Sequence, residues 1–308
     1  MANVLQTTAS GVTLFPAELT NELFNLVRGK SSLAKLSGQK PIPFRGETAW
    51  TFNLDKEIDI VAESGAKSNG GATMGQVTIV PVKVEYGTRV SNEFMFASEE
   101  IQLEYLRAFA EGFAAKVARG IDIMAFHGLN PRTATASTVI GTNHFDSQVT
   151  QAVTFAAATA NDNVTAAIAL IEAAEHEVTG MAMAPAFRSA LANIKKGTNS
   201  NEALFPELAW GANPGVINGL AVDTNSTVAF TGTGTGNVNT DRAIVGNFRD
   251  YFRWGFAREL PIEIIEYGNP DNDATAGDLK GHNQIYIRGE AYVGWGILVP
   301  AAFARIQA

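Results

Sequence analysis

Between residues 98 and 128 the chain reads SEEIQLEYLRAFAEGFAAKVARGIDIMAFHG, in which Leu106, Phe109, Ala110, Phe113, Val117, Ile121 and Met124 recur at spacings of three and four. That period puts them on one stripe of a helix, with Arg107, Glu111, Lys116, Arg119 and Asp122 off the stripe. The pattern predicts one helix of roughly 44 Å at about 1.5 Å per residue, long for a globular protein. Ser98 suits the N-cap, Glu99 and Glu100 suit the positive helix start, and Gly128 with Asn130 and Pro131 supplies the stop. This helix is the spine on which the other segments are placed.

Two runs alternate with period two instead. In residues 50–62, Trp50, Phe52, Leu54, Ile58 and Ile60 share one parity, and Thr51, Asn53, Asp55, Glu57 and Asp59 share the other. After a Gly/Ser/Asn-rich tip at 64–75, Val80, Val82, Val84, Tyr86 and Val90 oppose Lys83, Glu85, Arg89 and Ser91. Together they predict a long hairpin with arms of roughly 40 Å at about 3.3 Å per residue. A two-stranded ribbon cannot cover its own apolar face. Burial of that face by neighbouring subunits, and so an obligate oligomer, is the expectation.

Residues 1–44 hold one short helical segment at 16–28 and the extended KPIPF, too little apolar material for a core, so this arm should lie across something else. Beyond the spine, helices are expected at 162–179, with Val164, Ile168, Ile171 and Val178 on one face, and at 185–196. Strands are expected at 181–184, 216–222, 227–230 and 243–248, which makes this region an α/β insertion. The chain then returns through ELPIEIIEY, a loop at 268–283 and the alternating QIYIRGEAYVGWGILV, an antiparallel pair suited to packing on the spine. The fold class is α+β, with the spine domain split by the insertion.

Composition narrows the function. A chain of 308 residues, 46% of them hydrophobic, buries a substantial core, and a net charge of −8 argues against a surface built to neutralise phosphates. The absence of cysteine excludes disulfides, thiolate nucleophiles and Cys-ligated metals. The start, MANVLQTTASGVTLF, lacks the features of a secretory signal, and no apolar run is long enough to span a bilayer, so a soluble, cytosolic, membrane-free protein is expected. On that expectation the Asn163 and Asn225 glycosylation patterns are chance matches.

Candidate chemistry is sparse. His127, His144, His176 and His282 are scattered without metal-ligand spacing, and the neighbours Glu175, His176 and Glu177 point to different faces of a helix. GTGTG at 232–236 lacks the ending of a phosphate loop. Asp271, Asp273 and Thr275 open like a calcium loop, but Ala276 stands at the required Gly position and His282 at that of the bidentate Glu. Neither a GxSxG elbow nor a catalytic triad spacing is present. No catalytic residue, cofactor or metal site is assigned.

The order of parts, carried by TLFPAELTNELFNLVRGKSSLAKLS, PIPFRGETAWTFNLDKEIDIVAESGAK, YGTRVSNEFMFASEE, FAEGFAAKVARGIDIMAFHGLNPRT, WGFARELPIEIIEYGNPDN and RGEAYVGWGILVPAAFARI, resembles tailed-bacteriophage (Caudoviricetes) major capsid proteins of the Hong Kong-type fold, shared with herpesvirus capsid floors. The resemblance implies an N-arm at 1–44, an E-loop hairpin at 45–87, a P-domain from 88–139 with 258–308, and an A-domain at 140–257. It also implies pentamers and hexamers, assembled in the bacterial host cytoplasm, that close into an icosahedral shell around double-stranded DNA. On this reading Trp50, Phe52, Leu54, Ile58, Ile60, Val80, Val82 and Val84 make intersubunit contacts, while Leu106, Phe109, Phe113, Val117, Ile121 and Met124 pack the spine. Many relatives carry a long charged scaffold segment before the arm, whereas this chain enters the arm almost at once. A separate scaffolding protein and a portal are therefore expected partners, unless such a segment was removed. Crosslinked relatives join an E-loop lysine to a P-domain asparagine; Lys56, Lys67 and Asn269 lie in those regions, but no motif assigns them that chemistry. An encapsulin-type compartment is the alternative within the fold. A cytosolic α/β enzyme with its site in the insertion is the alternative outside it.

Overall fold

The computed structural model describes residues 30–95, 99–197, 200–233, 239–258 and 262–308. The expected helix at 16–28, the Ser98 cap and most of GTGTG lie outside them.

The spine runs from Glu99–His127 and ends where Gly128, at φ +67°, donates its N–H to the Met124 carbonyl at 2.9 Å. Leu106, Ala110, Phe113, Val117, Ile121 and Met124 are buried, and Phe109 is half-buried. Arg107, Glu111, Lys116 and Arg119 face solvent, but Asp122 is fully buried, contrary to its expected place on the solvated side. From Ile121 to His127 the helix is enclosed on every face, so a one-stripe description fails there.

Strands β1 (Glu47–Leu54) and β2 (Ala72–Ile79) form an antiparallel ribbon, Glu47 opposite Ile79 and Leu54 opposite Ala72. β3 (Val82–Ser91) follows it. After the spine come β4 (Ala152–Thr154), β5 (Gly180–Met183), β6 (Val216–Ile217), β7 (Leu220–Thr224) and β8 (Asp241–Gly246). The chain closes with β9 (Phe252–Arg258), β10 (Ile262–Ile265), β11 (Gln284–Ile297) and β12 (Phe303–Gln307). β3, β9 and β10 all pair antiparallel with β11, and this sheet packs on the spine, the Phe113 ring lying about 3.0 Å from where a Cβ on Gly289 would stand. A second, mixed sheet has the order β4-β12-β8-β5-β7-β6, so the AFARI end of the chain belongs with the insertion rather than with the returning pair.

Several expected elements are corrected. The second arm of the hairpin is β2, not the run from Val80: Val82 and Val84 lie in β3, half-buried against the chain's own core. Pro81, with no N–H to donate, separates the two strands. Ile58 and Ile60 lie beyond β1 in the irregular tip. The helix expected at 162–179 ends at Ala173, and Glu175 takes φ +62°, so Gly180 opens β5 instead of capping a helix. Residues 216–222 divide at an Asn218–Gly219 turn with both φ positive, and 227–230 fall in a 3₁₀ turn, Ser226–Ala229, whose start Asn225 caps by accepting from the Thr227 N–H.

Two buried clusters carry the packing. In the first, Phe145 is ringed by Phe126, Phe248, Phe252 and Phe303 at centroid distances of 5.0–6.1 Å, and Trp254 pairs across strands with Trp295. The second lies under the helices Ala160–Ala173 and Pro185–Asn193.

Residues 30–42 do lie across the rest of the chain, as a strap. The short helix Ser32–Leu36 packs against the spine, β5 and β7, and then Lys40 and Ile42 donate N–H bonds to the Trp254 and Phe256 carbonyls at 2.9 and 3.3 Å. A Cβ on Gly255 would stand 1.8 Å from the Lys40 carbonyl oxygen. Gly255→Ala is therefore expected to lift the strap from β9, read as faster amide exchange at Lys40 and Ile42; unchanged exchange contradicts the contact.

Candidate functional site

The ribbon carries its apolar side outward. Trp50, Phe52 and Leu54 are 63–65% exposed, and Met74, directly opposite Phe52, is 65% exposed. Its other side meets the chain at the base, where Ile79 is fully buried against Gly294 and Gly296. In the tip, Ile58 and Ile60 are 96% exposed. Asp55 closes this tip by accepting from the Gly71 N–H at 2.6 Å, and Lys56 donates to the Asn69 carbonyl at 3.1 Å. Val80, between the ribbon and β3, is exposed as well. The expected contact residues thus divide: Trp50, Phe52, Leu54, Ile58, Ile60 and Val80 are open to a partner, and Val82 and Val84 pack inward.

Of the residues in the crosslinking regions, Lys67 is exposed in the tip, and Lys56 and Asn269 make bonds. Asn269 accepts from Arg89 at 2.8 Å and donates to the Asp273 carbonyl at 3.0 Å. Arg89 organises the loop that opens like a calcium site: it also bonds both oxygens of Asp271, the Ala276 and Gly277 carbonyls and Gln284. Its side chain holds Asp271 down to about 2. The Arg89 guanidinium supplies the positive charge among these oxygens, in a loop whose sequence lacks the remaining calcium ligands.

A second polar cluster joins the end of the spine to the mixed sheet. His127 Nδ1 lies 2.9 Å from Asp146 and Nε2 lies 2.8 Å from the Thr227 carbonyl. Arg305 on β12 donates to both oxygens of Asp241 at 3.1 and 3.2 Å and meets Asp146 at 3.0 Å. Burial, with the neighbouring Asp146 charge, pushes Asp241 up to about 6. Burial pushes Asp146 upward too, but the His127 bond and charge, with Arg305, hold it below the usual carboxylate range. His127, Asp146 and Asp241 offer atoms within 4.8 Å of one another, as a metal centre would. Arg305 already supplies the positive charge there, so the arrangement is an ion-pair lattice. Arg305→Leu strands the buried Asp241 carboxylate and takes a partner from the half-buried Asp146, and should cost about 3–5 kcal/mol. A Tm lowered by less than a few degrees would show the lattice to be dispensable.

Sequence reasoning missed Asp122 and Arg305. The available signal for Asp122 was its setting, a lone acid inside IDIMAF. Arg305 carried none. Among the described residues no helix is long and apolar enough to cross a membrane.

The sequence pattern of the Phage capsid family matches residues 11–308. The chain belongs to that family. A solved chain from Mycobacterium phage Ogopogo is 30% identical, with a TM-score of 0.77 over 90% of this chain and 92% of that one. One from Gordonia phage Cozz is 21% identical, with a TM-score of 0.72 over 90% and 86%. A chain from the capsid of an empty GTA particle, computed with C5 symmetry, is 15% identical, with a TM-score of 0.63 over 90% of each. No curated protein matches. The fold is the Hong Kong-type capsid fold, and the chain is a phage major capsid protein that assembles with its own copies into the shell of the virion. The family is structural, and neither the encapsulin-type compartment nor the α/β enzyme is favoured.

Proposed function

We propose that this capsid protein forms pentamers and hexamers that close an icosahedral shell around double-stranded DNA, and that the ribbon of β1 and β2 binds one copy to the next. The observation that carries the proposal is the outward apolar face of Trp50, Phe52, Leu54 and Met74, which none of the described residues covers. Such a face is costly on a free monomer and favourable once a neighbour covers it. The working anatomy is an arm at 1–44, an E-loop at 45–87, a P-domain from 88–139 with 258–308 and an A-domain at 140–257; strand pairing supports counting β3 and β9 with the P-domain and β12 with the A-domain. With a net charge of −8 the chain encloses DNA without reading its sequence. A separate scaffolding protein and a portal serve assembly in the host cytoplasm. The chain has no catalytic role, and the shell is held without covalent crosslinks, since no motif singles out a crosslinking set among Lys56, Lys67 and Asn269.

Light scattering on the purified protein, followed by a denaturing gel of boiled particles, tests this reading. Rings or shells that release a single band near 32.8 kDa are expected. A well-behaved monomer at high concentration contradicts the assembly role, and a ladder of multimers contradicts the absence of crosslinks.

A further inference from the structure

We propose that Asn69, in the tip of the ribbon, is a site of spontaneous covalent modification. Its side chain closes on the Gly70 nitrogen with loss of ammonia, assisted by Lys56, and water then opens the ring to aspartate or isoaspartate. The chain has two Asn-Gly steps, at 69–70 and 218–219. Such a step is where closure is least hindered, because glycine has no Cβ to crowd the approach and its backbone turns freely. Both steps are exposed, so exposure does not separate them. Their settings do.

Asn69 and Gly70 lie in irregular backbone just before β2, and the Gly70 N–H is bonded to nothing among the described residues. The residues beside them are clamped. Asp55 donates its N–H to the Gly71 carbonyl at 3.1 Å and accepts from the Gly71 N–H at 2.6 Å. This holds Lys56 across the tip, where its ammonium donates to the Asn69 main-chain carbonyl at 3.1 Å and to Asn69 Oδ1 at 3.4 Å. One cation thus touches both carbonyls of the reaction. At the main-chain oxygen it draws electrons from the Gly70 amide, so that the N–H is given up more readily to hydroxide. At Oδ1 it makes Cγ more electrophilic and stabilises the oxyanion formed on attack. Asn218–Gly219, by contrast, is a two-residue turn closed by the pairing of Val216 with Ala221 and of Ile217 with Leu220, and it is set at φ +49° and +85°. Among the described residues no cation is bonded to Asn218.

The reaction balances with water alone. The Gly70 nitrogen loses its proton to hydroxide and bonds to Asn69 Cγ; the Cγ–Nδ2 bond breaks, and Nδ2 takes a proton from water and leaves as ammonia. Water then adds to either carbonyl of the cyclic imide. Opening on one side gives aspartate, and on the other isoaspartate, whose main chain runs through Cγ. Either product sets a new carboxylate beside Lys56 in the tip. Unlike the bridging role of the ribbon, this chemistry needs no second copy, so it stands or falls separately.

The test is peptide mapping by mass spectrometry of the full chain held at mildly alkaline pH, following the exchange of ammonia for water at both steps in the same sample. In the folded chain Asn69 should convert several times faster than Asn218, and in guanidinium chloride the two rates should approach each other. Gly70→Ala should slow conversion at Asn69 several-fold and leave the tip in place, since its Cβ would meet only Asp55 Oδ1, at an ordinary 3.7 Å. Lys56→Gln keeps a hydrogen-bond donor without the charge and should slow Asn69 about two- to fivefold, whereas Lys56→Arg should retain the rate. Equal rates at the two steps in the folded chain, or a rate at Asn69 that is unchanged or raised in Lys56→Gln, overturn the proposal.

Discussion

Replacing residues 50–76 by a short Gly/Ser linker is expected to abolish shell formation and leave a folded, cooperatively unfolding chain. The excised ribbon exposes its apolar face and, among the described residues, meets the rest of the protein at its base. Residues 77–79 are kept because Ile79 is fully buried against β11. Removing an arm of this kind costs the monomer little core, and closing the gap is cheap because loop entropy changes slowly with length. A cut extended through β3 would instead remove ten residues paired with β11 and destroy the sheet. Circular dichroism and thermal melts read the fold, and scattering reads assembly. Shells that still close without the ribbon would refute its bridging role. Loss of all cooperative structure would place it in the monomer's own core.

Phe113→Asp should abolish soluble expression. The ring is 3% exposed, stacks on Phe109 at a centroid distance of 6.4 Å and presses on the backbone at Gly289. A carboxylate there loses the packing and sits without a partner, at a cost of several kcal/mol against the roughly 5–15 kcal/mol that keeps a domain folded. Arg107→Ala, six residues earlier on the solvent side, gives up an exposed pairing with Glu111 at 3.5 Å, worth about 0.5 kcal/mol or less, and empties no part of the core. Soluble yield and thermal unfolding of the two variants check the contrast. Equal stability would mean that the packed face of the spine has been misassigned.

Period and capping residues were enough to place the spine and the long strand β11, because each buries one consistent face over many residues. The same reasoning went astray where one pattern serves two partners. Residues 80–90 alternate as an arm of a hairpin would, but they pair with β11, some two hundred residues away, and alternation carries no information about which strand lies alongside. Asp122 was placed with the solvated residues because helical spacing assumes one buried face, whereas the end of the spine is enclosed by the strap and by the turn at Ser226–Ala229. The ion-pair lattice was out of reach for a related reason: His127, Asp146, Asp241 and Arg305 come from four separated segments, and only the fold assembles them. The outward ribbon face was legible, since Trp50, Phe52 and Leu54 share a parity whatever covers them.

A cryo-electron microscopy reconstruction of the assembled particle tests the central claim most directly. The account predicts a closed shell in which Trp50, Phe52, Leu54 and Met74 of each copy are buried on a neighbouring copy, with β3 remaining in its own subunit's sheet. A shell whose ribbons project into solvent, or one closed by contacts that leave this face uncovered, would contradict it.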